Sequence, residues 1–500
     1  MGKNLNDHKM KKPLFLVCSI SVIYSATPLA ASQASIDGGD FQAMQPPITI
    51  IQQGSTNSVA IVDQGVVSDS AVMQTGFYNR TAMIQFGNDK NAFNDKYAYL
   101  EQPGLFNRAM IVQVGTTAQD IQFIDTRQGT GLGSINYKFA LQSSVNDPDP
   151  IAQQFARLTF DEAKTVANNF IFAPEVSRVN VSLLEDITLH FASLLENRLD
   201  QTRFGSCPKS SVETKHAKSP DPNCSTAPFF AALSYGHTER DSTLGMLGYE
   251  QDIVSATVGA DFQLNPLARL GVAFNFADSD SDIQRNFGSV SATAYQLGGF
   301  GSIAQDRYYV DLIATLGKVD FSSDRFGGAT RVSADTDGWS YSGRLQGGYF
   351  FGDDSFRFGP LLSTGYSKGT VDAYWEKGSP ILTQYIEQQD RERFVASLGA
   401  ALDHRDVMGG YPIHAYLKCE LERDFGIGRQ DLLESRFAFL PNAAVMTPLD
   451  DVTEDTYGRI SGGFSLAVNR QVQLSLAGTT LIGADRQDRY DLYGGVSVAF

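Results

Sequence analysis

Four glycines spaced eleven residues apart, Gly54, Gly65, Gly76 and Gly87, constrain the amino-terminal part of this chain more than any other feature. The spacing resumes at Gly104 and Gly115, and the same letters return around each glycine. One unit reads Gln74-x-Gly76-x-x-Asn79-x-Thr81-x-Met83-x-Gln85. Another reads Gln102-x-Gly104-x-x-Asn107-x-Ala109-x-Ile111-x-Gln113. After each glycine the named positions alternate by two, the period of a strand. A strand this short cannot bury its face alone, so repeated strands must stack on one another. The pattern points to a built surface or fibre rather than a catalytic cleft.

Six copies are readable between residues 48 and 122, and they resemble the curlin repeat, the strand-turn-strand unit of bacterial curli fibres. The match is good at Gln52/Gly54/Asn57, Gln74/Gly76/Asn79 and Gln102/Gly104/Asn107, and degenerate at Asp63/Gly65/Ser68. It breaks after Gly87, where Asn91 to Tyr99 insert extra residues. The resemblance implies that Gln52, Gln74, Gln85, Gln102 and Gln113, with Asn57, Asn79 and Asn107, stack as amide ladders. Gly54, Gly76, Gly87, Gly104 and Gly115 then sit at turns. Val59, Ile61, Val72, Thr81, Ala109 and Ile111 fill the space between. The competing reading is a Gln/Asn-rich disordered spacer with accidental periodicity. Charge speaks against it. Between Thr49 and Ala118 five acids face four bases, whereas disordered tails carry high net charge and few β-branched residues.

The amino terminus reads as an export signal. Lys9, Lys11 and Lys12 are the basic region, Leu14 to Tyr24 a short apolar run, and Ala30, Ala31, Ser32 and Ala34 the cleavage window. The run is too short to span a membrane as a helix. Cys18 falls within the signal. In an oxidising compartment Cys207 and Cys224 are expected to pair, closing a Lys-, Ser- and Pro-rich loop, at a gain of about 3 kcal/mol. Cys419 is left over as a barrel-wall residue. A net charge of -16 argues against nucleic acid as a partner.

From residue 228 to 500 the chain becomes a series of alternating strands. Phe394, Ala396, Leu398, Ala400 and Leu402 form one apolar face, and Phe464, Leu466 and Val468 another. Twelve strands are expected: near 228–239, 250–263, 267–277, 289–304, 307–319, 336–350, 355–372, 391–404, 411–424, 456–468, 471–482 and 489–500. Tight connections such as Leu264-Asn265-Pro266, Gln305-Asp306 and Asn469-Arg470 alternate with long ones at 278–288, 320–335, 373–390 and 425–455. Short turns on one side, long loops on the other and an even strand count describe an outer-membrane barrel. A lipid-spanning sheet must close, because an open edge leaves backbone groups unpaired in hydrocarbon. A soluble β-sandwich is the alternative, but its strands need not be this long nor its loops alternate. Gly495-x-x-Val498-x-Phe500 looks like the terminal signal read by the outer-membrane assembly machinery.

Together these features resemble the translocator barrel of type V autotransporters. The stretches Pro360 to Glu376 and Pro412 to Glu422 are similar to the barrels of the esterase autotransporters. A helix is expected at 183–204, with Ile187, Phe191, Leu195 and Leu199 on one face, and a second at 152–172 as a cap on the repeats. The first is on the order of 30 Å long, the height of a bilayer core. The resemblance implies that it threads the barrel lumen; an ordinary packed helix outside the barrel is the other reading.

The expected organisation is a signal peptide at 1–34, a curlin-like passenger at 35–150, a helical linker with the cysteine loop at 151–227, and the barrel at 228–500. The fold class is all-β: a 12-stranded transmembrane antiparallel barrel with a lumen helix, plus a small β-solenoid. The partners implied are outer-membrane lipid and the assembly machinery, with self-association or a host or matrix surface for the repeats. No catalytic residue, cofactor or metal set emerges. Residues 35–150 hold no histidine, so they cannot form a Ser-His-Asp triad. Asp278, Asp280 and Asp282 fall in an expected external loop and read as solvated.

Overall fold

A computed structural model describes residues 149–172, 175–203 and, apart from short turns, 229–498, together with strand segments between residues 21 and 144. Gly54, Asn57, Gly65, Gly76, Gly87 and Gly104 lie outside the described residues, as do Cys207, Cys224, Phe500 and most of the export signal. The chain divides into two compact units, Met1–Ile171 and Phe172–Phe500.

In the first unit successive repeats go to alternate sheets. Ile48–Gln53, Val67–Thr75, Asp95–Gln102 and Gln122–Gln128 pair in parallel as one sheet. Ser58–Gln64, Arg80–Phe86, Arg108–Gly115 and Tyr137–Ser144 pair in parallel as the other. An eleven-residue unit therefore gives a rung repeat of twice that length: Gln52 lies opposite Gln74. Inward side chains of both sheets, among them Ile50, Ile61, Val72, Met83, Leu100 and Ile111, share one buried core. Gly115 ends a strand. The insert after Gly87 is less loop than the sequence suggests, because Asp95–Tyr99 already belong to a rung paired with Val67–Ala71. The expected single helix at 152–172 is two. Helix α1, Pro150–Ala156, is capped by Asp149, and α2, Phe160–Phe172, by the Thr159/Glu162 box. Helix α1 lies against the last two strands of the second sheet.

The second unit is a closed barrel of twelve long antiparallel strands: Phe229–Arg240, Tyr249–Asn265, Ala268–Ile283, Gly288–Gln305, Tyr308–Gly327, Thr330–Tyr349, Phe356–Val371, Gln389–Met408, Tyr411–Asp424, Asp455–Ala467, Val472–Ile482 and Gln487–Val498. The first pairs with the last, from Phe229 opposite Val498 to Arg240 opposite Gln487, so no edge is left open. Side chains alternate about the wall. Leu233 and Leu398 are 68% and 65% exposed on the outside, whereas Ser234 and Ser397 face in and are buried. Ring pairs Tyr235/Tyr490, Phe276/Tyr295 and Tyr341/Tyr366 mark one aromatic girdle, and Tyr349, Phe351, Phe356 and Phe358 the other. Three tight turns are closed by a side chain: Asn265, Asp353 and Asn469 each accept two backbone N–H groups. The N–H of Phe356 holds the Asp353 carboxyl below the usual aspartate range.

Two of the four long loops are corrected by the structure. Residues 278–283, 320–327 and 330–335 continue the ladder, so Asp278, Asp280 and Asp282 stand on the outer face of a strand. Their apolar alternation stops where the wall leaves lipid, but the hydrogen-bonded pairing does not need lipid to persist. The other two loops fold together. Tyr374–Trp375, Gln384–Ile386, Leu432–Phe437 and Val445–Pro448 form a four-stranded sheet with Ile386, Leu433, Phe437 and Val445 buried beneath it.

Helix α3, Glu175–Thr202, occupies the barrel interior. It starts eight residues before the expected position 183, and its 28 residues give a length of about 42 Å. Inward glycines make room for it: a Cβ on Gly298 would lie 2.5 Å from Leu195 Cδ1 and 2.9 Å from Phe191 Cζ. The G298V variant should therefore overpack the seat by roughly 1–3 kcal/mol. In unboiled gels its compact form should convert to the unfolded form at a lower temperature than the parent chain.

Candidate functional site

The site is the lumen filled by α3. Among the described residues no helix is long and apolar enough to cross a membrane, and α3 shows why it needs a wall: most of its polar side chains are buried. Each ionic side chain must therefore find a partner.

The partners come in layers. At the long-loop end Arg178 pairs with Glu175 at 3.0 Å and donates to the Leu247 carbonyl. Ser177 Oγ is 2.7 Å from Tyr374 Oη, which ties the loop sheet to the helix. Below this, Leu184 fills the space over Gly338 and Gly369. Glu185 pairs with Arg391 and Arg393, Asp186 with Arg489 at 2.9 Å, and Thr188 donates to Ser340 Oγ. In the last third of the helix Glu196 meets three cations: Arg344, Arg459 at 3.0 Å, and Lys418. Nearer the short turns Asp200 shares Lys418 at 2.5 Å, Arg198 pairs with Asp261 at 2.7 Å, and Arg203 reaches Asp200 and Asp311. The apolar stripe of Phe191, Leu194, Leu195 and Leu199 packs on Phe230, Phe300, Ile313 and Tyr416. Among the described residues, a cavity of about 70 Å³ lies beside Glu196, Arg344, Arg459 and Arg489, room for a few waters, and a smaller one of about 30 Å³ beside Asn197, Arg198 and Tyr493.

His190, expected on the lumen helix, is buried there, with Nδ1 2.7 Å from Asp491 Oδ1 and Nε2 2.8 Å from Ser234 Oγ. The order resembles a hydrolytic triad, but Ser234 is buried and its Oγ also lies 2.6 Å from Ser255 Oγ. His237 and His414 pair with Asp252 and Asp403. Cys419 is an exposed wall residue with a free thiol. In the terminal strand Gly495 and Val498 pair with the first strand at Ala232 and Phe229.

In the first unit the amide columns are direct. Gln74 donates to Gln52 and Gln102 to Gln74, each at 2.7 Å. Gln113 donates to Gln85 and Asn79 to Asn107, each at 2.8 Å. Thr81 joins the two sheets by donating to Gln74 Oε1. Register adds two glutamines that sequence reasoning missed, Gln128 opposite Gln102 and Gln142 opposite Gln113. The glycine spacing fails after Gly115, so only the returning glutamines could have marked them. The wall partners of α3 were also missed. Their trace in the sequence is a charged residue at every second position, as in Lys418-x-Glu420-x-Glu422-x-Asp424.

A closed barrel with aromatic girdles, sealed by a helix of its own chain that enters at the long-loop end and leaves at the short-turn end, is an outer-membrane translocator. Residues 229–479 match the autotransporter beta-domain, and the chain belongs to that family. Esterase EstA of Pseudomonas aeruginosa is 26% identical over 231 residues, 44% of this chain and 34% of that protein. An uncharacterised Pseudomonas putida protein from the trpE-trpG intergenic region is 30% identical over 152 residues, 29% of this chain and 25% of its own length. The chain thus spans about a third or less of the curated relatives it matches. Among solved structures, the translocator domain of NalP from Neisseria meningitidis has a TM-score of 0.47 at 14% identity, covering 63% of this chain and 98% of that one. The beta domain of the Bordetella autotransporter BrkA has a TM-score of 0.41 at 16% identity, covering 55% and 100%.

Removing Glu196 takes a buried carboxylate away from Arg344, Arg459 and Lys418 and leaves these three cations to Glu420, Glu422 and Asp200. The E196A variant should lose about 3–5 kcal/mol. The checks are a lower unfolding temperature of the detergent-purified barrel and faster uptake of a small solute by liposomes that contain it.

Proposed function

We propose that the barrel carries the amino-terminal repeats to the cell surface and displays them as a curlin-like stack for adhesion, aggregation or biofilm matrix. The observation that supports this is the buried column of glutamines on parallel strands, Gln52, Gln74 and Gln102, continued in register by Gln128. A column whose members are both donor and acceptor presents at its end the same surface that it presents at every rung. Another copy can then add a strand there. The test is the full chain on intact cells. Cells expressing it should clump and bind an amyloid dye, and external protease should release repeat fragments. Q74A/N79A should abolish dye binding and clumping while the barrel stays in the outer membrane. Surface-exposed but dye-negative, dispersed cells would count against polymer building.

One observation favours a second reading, a monomeric adhesin or spacer. Helix α1 lies against the last two strands of the second sheet, Arg108–Gly115 and Tyr137–Ser144, and covers that end. In that case Q74A/N79A lowers stability without changing the dispersal of cells. The similarity to EstA raises a third, an esterase passenger. Ester hydrolysis by whole cells expressing the chain would support it.

A further inference from the structure

We propose that α3, besides filling the lumen, is the clasp that holds the barrel seam shut, and that His190 and Arg198 are its two bridging points. In this wall every neighbouring pair of long strands but one is joined in sequence order. The exception is the seam, where Phe229–Arg240 meets Gln487–Val498 from the opposite end of the domain. That pairing closes the longest loop and has no turn to hold its register.

The helix reaches both sides of this seam. His190 sits between Asp491 of the last strand and Ser234 of the first, at 2.7 and 2.8 Å, and its ring stacks on Tyr493. Arg198 donates to Ser497 Oγ of the last strand at 2.6 Å, while its guanidinium lies 4.7 Å over the Phe230 ring of the first. The two residues are eight apart on the helix, about 12 Å. Asp186 adds Arg489 of the last strand. Gly236 is what lets the imidazole approach. A Cβ there would lie 2.7 Å from Asp491 Oδ1 and 3.0 Å from His190 Nδ1. By contrast Glu196 binds Arg344, Lys418 and Arg459, none of them on a seam strand. One face of the helix therefore serves the seam and another the far wall.

The distinguishing experiment supplies the seam with a covalent substitute. Leu233 and Gly494 are register partners across it, both on the lipid side, and a Cβ on Gly494 meets nothing within 4 Å. A directly opposed antiparallel pair has the Cα separation that a disulfide needs. In a full-length C419S background, H190A/R198A should lower the midpoint of heat unfolding by roughly 10 °C. Adding L233C/G494C should restore at least half of that loss under oxidising conditions and none of it after reduction. E196A, whose partners lie elsewhere, should gain less from the same disulfide. If H190A/R198A does not assemble, recovery of folded barrel in the outer membrane only when the cysteine pair is present supports the clasp. Equal rescue of both variants, or no rescue of H190A/R198A, overturns it and leaves α3 as a plug alone.

Discussion

The structure depends on one requirement: a helix that buries four carboxylates, Glu175, Asp186, Glu196 and Asp200, and two guanidiniums, Arg178 and Arg198, must find a partner for each of them inside the lumen. Buried ion pairs roughly break even against desolvation, so the network adds little net stability. Its effect is selective. Turning α3 by one residue, about 100°, would carry Glu196 away from Arg344, Lys418 and Arg459 and leave its carboxylate unpaired at a large cost, while Arg344 and Arg459 would keep the wall carboxylate Glu420. The favourable burial comes from the apolar stripe of Phe191, Leu195 and Leu199 against Phe230, Phe300 and Tyr416. Hydrophobic packing thus holds the helix in the pore, and the ions decide its depth and rotation.

The wall follows from the same accounting of polar groups. In hydrocarbon each strand must be paired on both sides, and closure through Phe229–Arg240 and Gln487–Val498 achieves it. Beyond the outer girdle this compulsion ends. There the hairpins persist with Asp278, Asp280 and Asp282 pointing outward, and the interior turns apolar, with Val290, Val319, Phe321 and Val332 buried. The sheet made from the two remaining loops closes this end. The buried Arg325–Glu376 pair and the contact of Tyr374 with Ser177 secure it to the wall and helix.

How much of this was legible in the sequence follows from which forces have a local period. Lipid demands an apolar residue at every second position, so all twelve strands and the tight turns could be read, but the strand ends at Ile283, Gly327 and Thr330 lie six to eight residues beyond the expected ones, where the wall has left lipid. Phe191, Leu195 and Leu199 repeat every four and marked α3. The start of α3 at Glu175 could not be seen, because its first turns are buried beyond the lipid-facing wall, with Val176 beside Gly288 at the start of a strand whose partner there carries no lipid signal. Nor could the partners of Glu196. They come from three strands more than a hundred residues away, and nothing in a local window links Arg344 to Lys418 or Arg459.

The amide columns were legible for the opposite reason. A primary amide donates and accepts, so the best neighbour for Gln74 is another glutamine, and the solution repeats itself in the letters of the chain. A carboxylate only accepts and a guanidinium only donates, so a charged site needs a different residue beside it and the pattern closes on itself. This difference also sets what each surface can do at its end. A charge-paired lumen is complete once α3 is seated and has nothing left to offer a second copy. A column of identical amides has no internal stopping point and ends only where something unlike it covers the last rung. Helix α1, against Arg108–Gly115 and Tyr137–Ser144, stands where such a cover is needed.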